Sequence, residues 1–213
     1  MGNIKKICIA VMIIMAVVSF INLFGLNAAG ISVCLGVMFF FVNKAMEKQA
    51  FSGSGFDIKA IESNLKVKSI WFWIVMPLIM DAICILLAIL LLPDYIDHVL
   101  ARTENFVSFD KIGLLVVQLA VLALGEEIAW RAFFQKQLQK VLSIAQAIII
   151  SSVLFSLGHF TSKNLNIVAY DIFFVFINSV LYGIVFHKTN NAWISGISHF
   201  SANLLSVIVL MFL

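Results

Sequence analysis

The sequence predicts an all-α protein, a polytopic bundle of transmembrane helices. Three observations carry this. Of 213 residues, 62% are hydrophobic and only 12% are charged, a composition that would leave a soluble domain with an apolar surface. Apolar runs of about 18 residues recur along the chain, the length at which a helix crosses a bilayer. The 20 phenylalanines suit lipid-facing and interfacial surface. We count seven helices, with eight as the alternative. No repeat, low-complexity tract or long linker divides residues 1–213, which read as one integral membrane domain.

Taken in order, the first apolar run is Ile7–Phe24, behind Lys5 and Lys6. It exceeds the apolar region of a cleaved signal and no small-x-small site follows, so a retained helix is expected. The second helix, about Ala28–Asn43, is short. A loop from Lys44 to Lys68 follows, with Phe51-Ser-Gly-Ser-Gly-Phe56 and five lysines. The third helix, about Ile70–Leu92, closes at Pro93. An acidic stretch, Asp94 to Asp110, precedes a fourth helix beginning near Ile112. The fifth runs from about Ser143 to beyond His159, the sixth from Ile167 to Phe186, the seventh from Ala192 to Phe212.

Charge sets the orientation. Lys5, Lys6, the five loop lysines, Arg131, Lys136, Lys140 and Lys188 fall on one side; Arg102, Lys111 and Lys163 fall on the other. By the positive-inside rule the N-terminus is cytoplasmic and the C-terminus outside. The lysines form no patch for nucleic acid. Cys8, Cys34 and Cys84 have no metal-ligand spacing and read as small buried hydrophobes.

The fourth helix holds the exception to all this apolarity, Gly125-Glu-Glu-Ile-Ala-Trp-Arg131. A charge at mid-membrane costs about 2.5–3.5 kcal/mol even on lenient scales, so three together ask for a task. Glu127 and Arg131 are four apart in the favourable order and can pair on one face. Glu126 points about 100° away and can face a cavity. An ion pair that merely joins helices is the competing reading. Further polar residues follow at the same spacing: Phe155 with His159, and His199 with Asn203. Asp81 and Asp171 also interrupt apolar runs and read as helix-packing groups. For Glu126 to meet His159, the fourth helix must continue past Arg131 to about Gln139, which Ala132–Lys140 permits because it lacks Gly and Pro.

Glu126-Glu127-x-x-x-Arg131, Phe155-x-x-x-His159 and His199-x-x-x-Asn203, in this order on successive apolar segments, resemble the CPBP family of intramembrane proteases. That family includes prenyl-protein (CAAX) endopeptidases of the Rce1 type and bacterial bacteriocin-processing or immunity (Abi) proteins. The resemblance covers about 112–205, the expected catalytic core. It implies peptide-bond hydrolysis in a membrane-associated protein or peptide. Glu126 would be the general base toward a water that His159 orients, with His199 and Asn203 donating to the oxyanion. Glu127, Arg131 and Phe155 would support the geometry. Zinc held by Glu126, His159 and His199 is the alternative, although no His-Glu-x-x-His helix is present. A bacterial plasma membrane is the expected location. Two other classes compete: a non-enzymatic immunity or scaffold protein, and a proton-coupled transporter, the latter disfavoured by the absence of repeated halves. The substrate's identity is not written in the chain.

Overall fold

The computed structural model describes residues 4–23, 26–103, 111–161 and 164–212. Among these residues there are nine helices: α1 (Lys6–Ser19), α2 (Ala29–Met46), α3 (Ile61–Leu65), α4 (Lys68–Leu91), α5 (Asp94–Thr103), α6 (Ile112–Leu138), α7 (Ile144–Leu157), α8 (Leu165–Thr189) and α9 (Ala192–Met211). Five of them, α2, α4, α6, α8 and α9, are long and apolar enough to cross a membrane. The apolar helices α1 and α7 have 14 residues each. The protein is an all-helical integral membrane bundle.

The expected count of seven or eight is therefore corrected to nine, and the two unforeseen helices are the polar ones. In α3 there is a single turn and a half inside the lysine-rich loop. In α5, Pro93 precedes the first turn and Asp94 and Asp97 sit within it, where carboxylates complement the helix dipole. The buried Tyr95 and His98 share one face of α5. Residues 104–110 of the acidic stretch, and Lys163, lie outside the described residues.

Helix ends follow turn chemistry. The expected first helix to Phe24 stops instead at Ser19, whose hydroxyl donates to the Met15 carbonyl. A minimal antiparallel pairing of Asn22–Leu23 with Leu26–Asn27 follows, in a stretch rich in turn residues; Phe24 itself is outside the described residues. Ser143 and Gln146 form a capping box at the start of α7. At the α8–α9 turn, Asn190 adopts the left-handed conformation and Asn191 accepts from the Trp193 amide.

The basic ends of the helices are gathered by the loop after α2. Lys140 pairs with Glu47 at 2.9 Å, and Lys136 donates to the Gly53 carbonyl and to Asn190. The Ala192 amide donates to Gly55, whose φ of +93° and position against the Phe186 ring exclude a side chain. Along the bundle, α9 packs most extensively on α6. Gly36 lets α2 approach so closely that a Cβ there would lie 2.5 Å from that of Ala129. On the outside, Ile13, Phe72, Leu90, Val117, Val121 and Phe173 are exposed, as lipid-facing side chains are. Cys34 is exposed as well, against expectation, whereas Cys8 and Cys84 are buried. An apolar cleft of about 350 Å³ opens between α1 and the ends of α6 and α7, walled by Ile9, Met12, Ile13, Phe134 and Leu154.

Candidate active site

The helix that bears the two glutamates runs on past Arg131, as the sequence requires, but changes its winding. It is α-helical through Glu127 and then π-helical over Ile128–Gln135, where the Lys136 amide reaches back five residues to the Arg131 carbonyl. All eight π residues are buried, and such segments concentrate at functional sites. The wider turn spreads Trp130, Arg131, Phe133 and Phe134 toward different neighbours, so that no side of this segment faces lipid.

Glu127 and Arg131 form the expected pair, with Arg131 Nε 3.4 Å from Glu127 Oε2 and neither side chain exposed. Arg131 Nη2 donates to Ser179 Oγ on α8 at 3.0 Å, and its guanidinium lies 5.3 Å from the centre of the Phe155 ring. Desolvating a charge pair costs several kcal/mol per ion, which such supplementary contacts help to offset. Ser195 of α9 also faces the Glu127 carboxylate.

His199 extends this network. Its Nδ1 lies 3.1 Å from Glu127 Oε1, and its Nε2 lies 3.6 Å from Oε2 of Glu126. The two adjacent carboxylates thus meet opposite edges of one imidazole. They differ in access: Glu127 has no exposed side-chain surface, while Glu126 keeps 24%. Tyr182 stacks on the imidazole at 4.3 Å between ring centres and 17° between planes, which fixes the ring's orientation.

His159 is placed differently from the sequence expectation. Helix α7 ends at Leu157, so His159 lies in the turn beyond it instead of on the helix face. Gly158 follows the helix directly, and the His159 ring folds back so that Nδ1–H donates to the Phe155 carbonyl at 3.1 Å. A carbonyl can only accept, so in the neutral ring Nε2 carries the lone pair. Phe155 is the common neighbour: its ring centre is 4.9 Å from that of His159, 6.3 Å from His199 and 5.9 Å from Trp130. Asn203, half-buried, occupies the face of α9 one turn beyond His199.

Among the described residues no three His, Cys, Asp or Glu side chains converge as a metal-holding group, Glu126, His159 and His199 included. Of the two His199 nitrogens, Nδ1 is engaged by Glu127 at 3.1 Å, and Nε2 faces Glu126 at 3.6 Å. As arranged, these side chains do not form a zinc site.

Ser179, Tyr182 and Ser195 were missed in the sequence. Ser179, Tyr182 and Gly183 stand at i, i+3 and i+4, a small and polar stripe that membrane helices use for close packing, and that signal was readable. Asp81 and Asp171 each join helices. Asp81 accepts from Asn178 and, at 2.9 Å, from Ser206. Asp171 accepts from Tyr95 at 3.3 Å and faces His98 at 3.6 Å.

Residues 108–205 match the family model described as Rce1-like, type II CAAX prenyl endopeptidase. No curated protein and no solved structure matches the chain.

Proposed function

From the match of residues 108–205 to the Rce1-like family model, we propose an intramembrane endopeptidase of the CPBP type that hydrolyses a peptide bond in a membrane-associated protein or peptide. One observation carries the residue assignment: of two adjacent carboxylates in an apolar bundle, Glu126 keeps access while Glu127 is sealed against Arg131. Glu126 is the general base on the attacking water. His159, with Nε2 as acceptor, orients that water. Asn203 donates to the oxyanion, and His199 borders the same space. Phe155 spaces the two imidazoles, and Glu127 with Arg131 holds the frame.

The lysine-rich end, with the loop after α2, lies in the cytoplasm, a reading supported by the bias of lysine and arginine. The resemblance to bacterial members supports a bacterial plasma membrane. The prenyl group in the family's name is not carried over to this chain's substrate.

The test compares purified wild-type and Glu126→Gln protein. The variant keeps size and hydrogen-bonding capacity but removes the base, so it should fold normally and lose about 10²–10⁴-fold of its cleavage. Membrane and secreted peptides compared between cells carrying each form would reveal the substrate. Undiminished proteolysis by the folded variant would overturn the assigned base. Undiminished cellular function would favour a non-enzymatic immunity protein.

A further inference from the structure

His199 stands between two carboxylates in unequal settings, and this constrains its protons. A carboxylate offers only acceptors, so the 3.1 Å contact with Glu127 places the hydrogen on Nδ1. A neutral ring then has a bare lone pair at Nε2. In that state His199 can donate neither to an oxyanion nor to a leaving group. It becomes a donor only by taking up a proton, and the acid beside Nε2 is Glu126, at 3.6 Å. Glu127, anchored by Arg131 and wholly buried, keeps a negative charge in place to offset the imidazolium that results. The same logic governs the buried carboxylate behind the histidine of serine proteases.

Building on the protease reading, we propose that Glu127 is a positioning residue that holds His199 as a proton shuttle from Glu126 to the leaving amine. Glu126 removes one proton from water as the water oxygen bonds to the carbonyl carbon and the C=O π pair moves onto oxygen. That proton passes from Glu126 to Nε2, leaving Glu126 ionised and His199 an imidazolium held against Glu127. As the tetrahedral adduct collapses, C=O re-forms, the C–N bond breaks and the nitrogen takes the Nε2 proton. The products are a carboxylic acid and a free amine, and both catalytic side chains return to their starting states. Tyr182, stacked flat on the ring, keeps Nδ1 and Nε2 aimed in opposite directions throughout.

A leaving-group proton donor differs from an oxyanion donor or a packing residue in being needed only when the leaving group must be protonated. The probes are a peptide that the purified wild-type protein cleaves, chosen from a synthetic library of membrane-anchored peptides, and the same sequence with a thioester at the scissile bond. A thiol has a pKa of about 8.5 and departs as thiolate without a proton, whereas an amine must be protonated to leave. Glu127→Gln and His199→Ala should each lose about 10²-fold or more in kcat on the amide. On the thioester each should lose less than about tenfold, with KM unchanged on both. Equal losses on the two substrates would overturn the shuttle. Should Glu127→Gln fail to fold with Arg131 stranded, the double variant Glu127→Gln/Arg131→Gln removes both buried charges and supports the same comparison. Nitrogen-15 NMR of histidine-labelled protein gives a readout independent of turnover. Wild-type His199 should be protonated at Nδ1, and that preference should weaken in Glu127→Gln, whose amide can present either its carbonyl or its NH2 to the ring; an Nε2–H ring in the wild type would overturn the proposal even in an active protease. A wild type that cleaves no library member would instead count against the protease reading, and the NMR result would still decide the role of Glu127.

Discussion

Among the described residues two buried histidine–carboxylate contacts lie in this bundle, and they are built for different ends. His199 meets Glu127 at 3.1 Å within the core; His98 meets Asp171 at 3.6 Å where α5 packs on α8. All four side chains are buried. The surroundings differ. Asp171 is further occupied by the Tyr95 hydroxyl, and Tyr95 in turn receives the Cys84 thiol and packs edge-on against Tyr170. His199 has a second carboxylate at its other edge, and that one is partly open. A sealed pair is a joint between helices. The same pair beside a reachable carboxylate can move a proton.

The largest expected effect comes from removing that reachable group. Glu126→Gln should lower peptide cleavage by about 10²–10⁴-fold, the range for one general base, with thermal stability unchanged. Retained activity in that variant would erase the distinction between the two contacts. Arg131→Ala strands Glu127 in a dry site and should cost about 3–5 kcal/mol of stability, read as a thermal shift in detergent. A smaller catalytic loss, about 10²–10³-fold, is expected for Asn203→Ala with the fold intact. At the other contact, His98→Gln or Asp171→Asn should destabilise by about 1–3 kcal/mol while turnover per folded molecule stays at the wild-type value. If turnover instead fell as it does for Asn203→Ala, the outer contact would have to be counted as part of the catalytic apparatus. The smallest perturbation maps the two ends onto the membrane. Cysteine at exposed Ser52 should resist an impermeant maleimide on intact cells, and cysteine at exposed Asp97 should react; the reverse pattern would invert the orientation.

Much of the membrane architecture was legible because its signals are local. Each of the seven apolar runs became a helix, and Glu127 paired with Arg131 as four-residue spacing allows. Phe155 lies beside His159, His199 and Arg131, so one side chain from each motif borders its ring. What could not be read depends on neighbours far along the chain. The π winding of Ile128–Gln135 lies in a segment pressed by Gly36 of α2 on one side and Ser179 of α8 on another, neither of which a window on α6 contains. Helix α5 was missed because its inward face is little more than Tyr95, His98 and Val99. His159 was placed on a helix because periodicity continues through it, whereas the backbone turns at Gly158. The position of His199 between both glutamates needed the register of α9 against α6, and spacing alone says nothing about register.

The two shortest apolar helices stand together on one flank of the bundle. At 14 residues each, α1 and α7 rise about 21 Å, against a hydrocarbon core of about 30 Å. Lipid beside them must thin, and mismatch costs fractions of a kcal/mol per Å. The protein should therefore settle in thinner bilayers and work fastest in short-chain lipids. Acyl-chain length would then act on it as a rheostat, through the flank that carries His159 at its edge.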